Sequence, residues 1–383
     1  MIAPAAAVAY GAHDTGSARI VDHGRIPSMS ASEFGRPRGD FGIDMLTTQL
    51  DGMFDGKPRR AQLDVYQIVA TLPAPQVHNR DPSCALLANL PHAQPRQALD
   101  LLRRIPIRSG TPPHAAAGPF ELEAALQLIR VLLELGEMDT AQTTLETLRN
   151  NYVSDWRISW YTGIAALLCA EYRRAYRQLD IVRVMLPGEY APSLAMAVTA
   201  EMLANSPGAH PDIDDWQDAA IDHYRHAWHL NRGIASAAFG LARRLAAHGD
   251  FAAAVAVLDG LPAVSHHRDT AGLSGCLLQV SGPVTELTET DLRVAAGRLA
   301  SLSGAPRYLP TRIVLLWATL VWLRAGGCLQ SPETSILGTP NTEAGLRGGI
   351  EAGLRTLARI TTDPAHRIRL VDLANEVRPR TWF

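Results

Sequence analysis

His223, His226 and His229 stand three residues apart, an interval at which a helix could offer imidazoles to a transition metal. Successive members drift by about 60° around the helix, so two could share an ion but three converge poorly. The repeat register set out below turns Tyr224 and Ala227 inward, which leaves the histidines facing solvent. His266-His267 falls in a segment read as an inter-helix loop and is treated the same way. No metal site and no cofactor are expected. Two tripeptides, Asp40-Phe41-Gly42 and His267-Arg268-Asp269, have the composition of phosphoryl-transfer motifs. A working kinase needs the second before the first, an Asn five residues after its Asp, and a Gly-rich loop with a Lys strand upstream. Here the order is reversed, residue 274 is Ser, and Lys57 is the only lysine. Both are read as chance strings. No GxSxG, HExxH or GxxxxGK[ST] pattern occurs, and no catalytic residue is assigned.

Arg157 with Trp160, and Phe239 with Arg243, each set a guanidinium beside a large aromatic ring within about one helical turn. Such pairs suit the anchor point of a bound peptide, and these four are the candidate binding residues. The competing reading is that Trp160 and Phe239 are core between helices.

The elements that must position them repeat. Ala141, Ala175, Ala220 and Ala254 are separated by 34, 45 and 34 residues, and four positions later stand Leu145, Leu179, Tyr224 and Leu258. This is the period of a tetratricopeptide helix pair. The long step is one period plus 11, and the surplus falls at Asn205–Asp215, a Pro/Gly/Asp-rich stretch that reads as an inserted loop. Phe120–Leu135 carries Leu122, Leu126, Ile129 and Leu133 on one stripe, Gly136 closes it, and Met138–Arg149 packs back. Gly163 and Ala175 are small where two helices approach, and Pro187 ends the second of them. The third pair runs from Pro192 to Asn231 and the fourth covers Ala235–Leu261, turning at Gly249-Asp250. Beyond Pro262 helices are expected at Thr270–Val280, Glu289–Leu302, Thr311–Ala325, Ala344–Ile360 and His366–Val377, with Thr288, Asn341 and Asp363 as N-caps.

The fold expected is all-α: a tetratricopeptide-repeat superhelix, an α-solenoid with a concave groove. Residues 1–24 read as a mobile leader. Residues 25–118 hold 11 of the 25 prolines and read as an irregular collar wrapping the array. Its short apolar pieces include Phe41–Leu50 and Val65–Leu72, each worth two or three turns. Residues 119–262 are the repeats and 263–383 a C-terminal helical cap.

A net charge of −2 gives no electrostatic case for nucleic acid or an anionic membrane. Cys84, Cys169, Cys276 and Cys328 are scattered without a CxxC pair and read as reduced core cysteines of a cytoplasmic protein. The longest apolar run, Ile313–Leu323, falls well short of the roughly 20 residues that cross a bilayer.

Several strings resemble one family, the actinobacterial serine/threonine protein kinase G. They are DWRISWYTGIAALLCAEYRRAYRQLDIVRVMLPGEYAPSLAMAVTAE (Asp155–Glu201), GIASAAFGLARRLAAHGD (Gly233–Asp250) and LVDLANEVRPRTWF (Leu370–Phe383). SASEFGRPRGDFGIDML (Ser30–Leu46) is similar to the stretch that follows the kinase domain there. The resemblance covers about residues 25 to 383, colinearly. In that family a rubredoxin-like metal module and a kinase domain come first. Here about two dozen residues precede the match, so a chain without either module is expected.

The resemblance implies a non-catalytic interaction scaffold or adaptor, acting in trans with a separately encoded serine/threonine kinase or another protein or peptide client. The alternative is a helical-repeat component of a peptide-modifying biosynthetic pathway, with a catalytic or substrate-binding cavity of its own. A homodimer is expected, because Trp317, Leu320, Val321 and Trp322 crowd one C-terminal helix.

Overall fold

The computed structural model describes residues 40–52, 62–75, 87, 95–104, 119–206, 213–328 and 335–379. The leader, Cys84 and much of the Pro-rich collar lie outside the described residues. Within them the secondary structure is almost wholly helical. The described chain divides into two compact units, Leu63–Asn231 with residues 40–41 and, separately, Gly42–Gln62 with Arg232–Phe383.

The short helix α1 (Met45–Thr48) belongs to the second of these units, and α2 (Val65–Thr71) opens the first. Asp64 caps α2, accepting from the Tyr66 amide at 2.9 Å, and the helix packs on α6 (Trp156–Leu168). α3 (Pro95–Arg103) lies on α4 (Pro119–Leu135). Three antiparallel pairs follow: α4 with α5 (Met138–Asn151), α6 with α7 (Tyr172–Met185), and α8 (Tyr190–Ala204) with α9 (Ile213–Leu230). The expected stripe on α4 is buried along its whole length. So are Ala141, Ala175 and Ala220 and their partners Leu145, Leu179 and Tyr224. The reason is close approach. A Cβ at Gly163 would stand 3.0 Å from the Leu179 side chain and 3.5 Å from the Ala175 carbonyl, so only small residues let α6 and α7 meet there. Each Leu so covered contributes roughly 1.5–3 kcal/mol.

The turns joining α4 to α5, α6 to α7 and the pair at 235–259 share one geometry. Gly136 and Gly249 have φ of +76° and +83°, and Ala170, 34 residues after Gly136, adopts the same left-handed conformation at +58°. An alanine there carries strain of roughly 1 kcal/mol that glycine does not. Tyr224 takes a leucine's place in the register, and its hydroxyl donates at 2.8 Å to Glu201, a carboxylate buried within α8. α9 begins at Ile213, two residues inside the stretch read as loop, with Asp214 and Asp215 in its first turn where the helix dipole favours acids.

In the other unit α10 (Ala235–Ala247) pairs with α11 (Phe251–Asp259), which Asp250 caps through the Ala253 amide. Ala254 and Leu258 complete the buried register. α1 packs on α12 (Arg268–Gln279) and on the 3₁₀ turn Gln49–Gly52 that follows it. Arg307 holds that turn through a two-pronged bond to Asp51, at 2.7 and 2.6 Å. α13 (Glu289–Ala300) starts with a reciprocal capping box between Thr288 and Asp291. α14 (Tyr308–Arg324) begins three residues earlier than expected, because Pro310 falls in the first turn, where a missing amide hydrogen costs nothing.

A two-stranded hairpin, Ser335–Ile336 with Thr339–Pro340, precedes α15 (Glu343–Ile360). Thr342, and not Asn341, caps α15, its hydroxyl oxygen accepting from the Gly345 amide at 3.1 Å. Asp363 caps α16 (Pro364–Val377) as expected. Of the four bulky residues on α14, Leu320 and Trp322 are buried in the unit's own core, while Trp317 and Val321 are half-buried. Among the described cysteines Cys276 is buried, with its thiol pushed up to about 12 by burial. Cys169 is half-buried and Cys328 is exposed, so Cys328 is no core cysteine. No described helix is long and apolar enough to cross a membrane.

Candidate functional site

Arg157 and Trp160 lie on α6, and Phe239 and Arg243 on α10, in separate units. Arg157 is engaged within its own fold. Its guanidinium grips Asp155 at 2.9 and 2.6 Å and reaches Glu123 on α4 at 3.1 Å. Burial alone would raise the Asp155 carboxyl, but hydrogen bonds from Arg157 reverse that and hold it below the usual carboxylate range. Trp160 is 4% exposed and Phe239 is fully covered. Arg243 is 4% exposed and donates to the Gly42 carbonyl at 3.2 Å. Trp160, Phe239 and Arg243, so enclosed, pack the fold, while Arg157 is half-buried and keeps some of its surface.

An open cleft of about 420 Å³ occurs elsewhere, where the start of α7 faces the end of α8 and the start of α9. Its chemistry comes from six side chains: Tyr172, Arg173, Arg174 and Arg177 on α7, Leu203 on α8 and Trp216 on α9. The positions follow from the helix period. Ala175, Leu179 and Val182 face the core, which turns Arg173 and Arg177, four apart, to the outer surface together.

Trp216 forms the wall. Arg173 places its guanidinium carbon 5.6 Å from the Trp216 ring centroid, a cation–π distance. Tyr176 meets the same ring edge-on at 5.0 Å. Tyr176 is in turn fixed by a 2.8 Å hydrogen bond between its hydroxyl and His223 Nε2. His223 therefore turns inward, contrary to its reading as a solvated residue, while His226 and His229 are exposed. Burial, assisted by Arg183, depresses the His223 pKa to about 4, so its ring is neutral near pH 7. Burial likewise raises the hydroxyls of Tyr172 and Tyr176.

The cations are not equally engaged. Arg174 is paired with Glu171 at 2.8 Å. Arg177 is exposed and makes no hydrogen bond or ion pair among the described residues. The N-cap of α7, Glu171, makes no side-chain cap bond, so the first-turn amides keep their partial positive charge. Chemically the cleft can hold an anion next to a flat apolar surface. Sequence reasoning had used only Ala175 and Leu179 from this helix, although Tyr172–Arg177, YRRAYR, is visibly basic and aromatic. Trp216, at the edge of the inserted stretch, carried no such signal.

Residues 27–381 match the family model described as protein kinase G tetratricopeptide repeat. The chain belongs to that family. It is 38% identical over 358 residues to the serine/threonine-protein kinase PknG of Mycobacterium leprae, covering 92% of this chain and 45% of that protein. It is 36% identical over 360 residues to the protein of the same name from Mycolicibacterium smegmatis, covering 93% and 45%. The chain thus spans a little under half the length of these relatives. The buried register from Ala141 to Leu258, and α7 to α9 with their cleft, lie inside the matched region. Phe41 is 1% exposed, and Arg268 donates to the carbonyls of Asp259 and Leu261 at 3.1 and 2.7 Å as a local clasp.

Proposed function

We propose that this chain is a protein-interaction scaffold that acts in trans, holding a client protein for a separately encoded serine/threonine kinase or holding that kinase itself. The supporting observation is the cleft at the head of α7, where an exposed guanidinium without a partner among the described residues stands beside a braced indole. A rigid receptor of this kind binds at modest entropic cost, because its own side chains are already ordered. Membership of a tetratricopeptide-repeat family supports the same reading, since stacked helix pairs offer surfaces and not reaction centres. Kinase activity is named for the full-length relatives and is not transferred to this chain.

The test is affinity capture from lysate of the source organism with the tagged full chain, followed by mixing with each purified candidate and light scattering after size exclusion. Reconstitution of a stable complex with a kinase or a kinase substrate supports the proposal. Recovery of the chain alone, with no complex on mixing, sinks it. The same light-scattering run tests the proposed homodimer, for which Trp317 and Val321 on α14 are the half-buried apolar candidates. A clean monomer at micromolar concentration removes it.

A further inference from the structure

We propose that the cleft at the head of α7 takes a phosphorylated side chain of the client protein. This deepens the scaffold reading and rests on it. Charge balance is the first reason. The lining holds three guanidiniums, Arg173, Arg174 and Arg177, against one carboxylate, Glu171. A phosphomonoester carries about −1.5 to −2 near neutral pH, about twice the charge of a carboxylate, and so gains more from a lining in which cations predominate.

Geometry is the second reason. Arg173 and Arg177 are one turn apart on a single helix face, so two planar forks can approach one tetrahedral anion from the same side. Guanidinium suits phosphate oxygens because its paired donors match their spacing. The amides opening α7 lie at the same end and add donors of the right sign. They are secondary to the arginines, which supply the full charges.

The third reason is the rest of the volume. About 420 Å³ exceeds what a phosphate group alone fills. The remainder is walled by Tyr172, Leu203 and Trp216, which give an apolar residue next to the phosphorylated one a surface to cover. Tyr176 and His223 hold the Trp216 ring in place from behind. They are positioning residues. A long polyanion fits poorly, because exposed acids flank the basic patch at Asp214 and Asp215 on α9, and like charges there repel an extended phosphate backbone.

The full chain is titrated by fluorescence anisotropy against three labelled degenerate peptide pools, with a fixed central phosphothreonine, threonine or glutamate. The phosphothreonine pool is expected to bind at least about tenfold more tightly than the other two, given the doubled charge and extra acceptor oxygens. Arg173→Gln and Arg177→Gln are each expected to remove most of that preference, and Arg177→Gln, which gives up no partner among the described residues, to do so with the melting curve unchanged. Equal binding of all three pools overturns the inference, as does glutamate matching phosphothreonine. A preference that survives both substitutions places it elsewhere and also overturns it. Free phosphothreonine competing as well as the peptide pool would point to a small phosphorylated molecule and overturn the assignment to a client protein. The two readings fail separately. A client complex that forms equally well with the Arg173→Gln/Arg177→Gln chain keeps the scaffold and removes the phosphate, whereas phosphothreonine preference without any client complex removes the trans-acting scaffold.

Discussion

In the C-terminal unit several arginines end on groups of their own fold. Arg347 reaches the Val377, Glu376 and Arg378 carbonyls at the end of α16 at 2.8, 3.4 and 3.3 Å. Arg298 grips Asp259, and Arg307 grips Asp51. In the unit built from residues 63–231, Arg177 of α7 ends in a cleft with no partner among the described residues. The difference lies in what each guanidinium would lose on substitution. Carbonyls at a helix end lack intrahelical donors, so an arginine there completes the fold and meets the negative end of the dipole. An exposed arginine without a partner adds little to stability and keeps its donors for something else. The same residue type is structural in one place and available in the other.

That contrast can be broken by substitution. The largest effect on stability should come from the repeat core, because Ala175→Leu forces a branched side chain into the α6–α7 contact and should destabilise by about 1–3 kcal/mol. Chemical denaturation measures it, and an unchanged midpoint would count against the register. Next, Arg347→Ala should cost about 2 kcal/mol by orphaning the α16 carbonyls, with Arg347→Lys recovering only part, since an ammonium cannot span three acceptors. If Arg347→Ala costs nothing, the structural half of the comparison fails.

His223 supplies a pH test. Its folded pKa of about 4 lies below the ordinary 6.5, so the unfolded chain takes up the proton first. Stability from this group is complete above about 6.5 and declines as pH falls toward 4, by about 1–2 kcal/mol after allowance for partial exposure. His223→Gln should flatten the melting temperature between pH 6.5 and 4.5, and an undiminished slope would refute the assignment. Ala170→Gly should stabilise slightly, by about 0.5–1 kcal/mol, through relief of left-handed strain. Smallest of all, Arg177→Gln should stay within about 0.5 kcal/mol of the parent. A larger loss would show that Arg177 supports the fold and would erase the contrast with Arg347.

Much of this was legible because periodicity is a local property. The 34-residue step marked six residues that are buried in the first three pairs and two in the fourth, with Tyr224 correctly grouped with the leucines. Thr288 and Asp363 were readable as caps, since capping depends on neighbours three residues away. The anchor pairs show the limit. Arg157 and Trp160 have the residue types of a binding site, but Asp155 and Glu123 take the arginine and the core takes the tryptophan. Asn341 against Thr342 was a choice between two adjacent capping residues that the backbone at the hairpin settled.

The sequence by itself determined the helical repeat, its family and the inward face of each pair, because burial at a fixed period leaves its mark on every turn of the chain. Only the tertiary structure decided the cleft. Arg177, Leu203 and Trp216 come from three helices, and what makes them one site is the distance that packing sets between side chains remote in sequence. Whether a given arginine is spent on the fold or left for a ligand is likewise decided by which acceptors packing brings within reach, and no spacing along the chain records that.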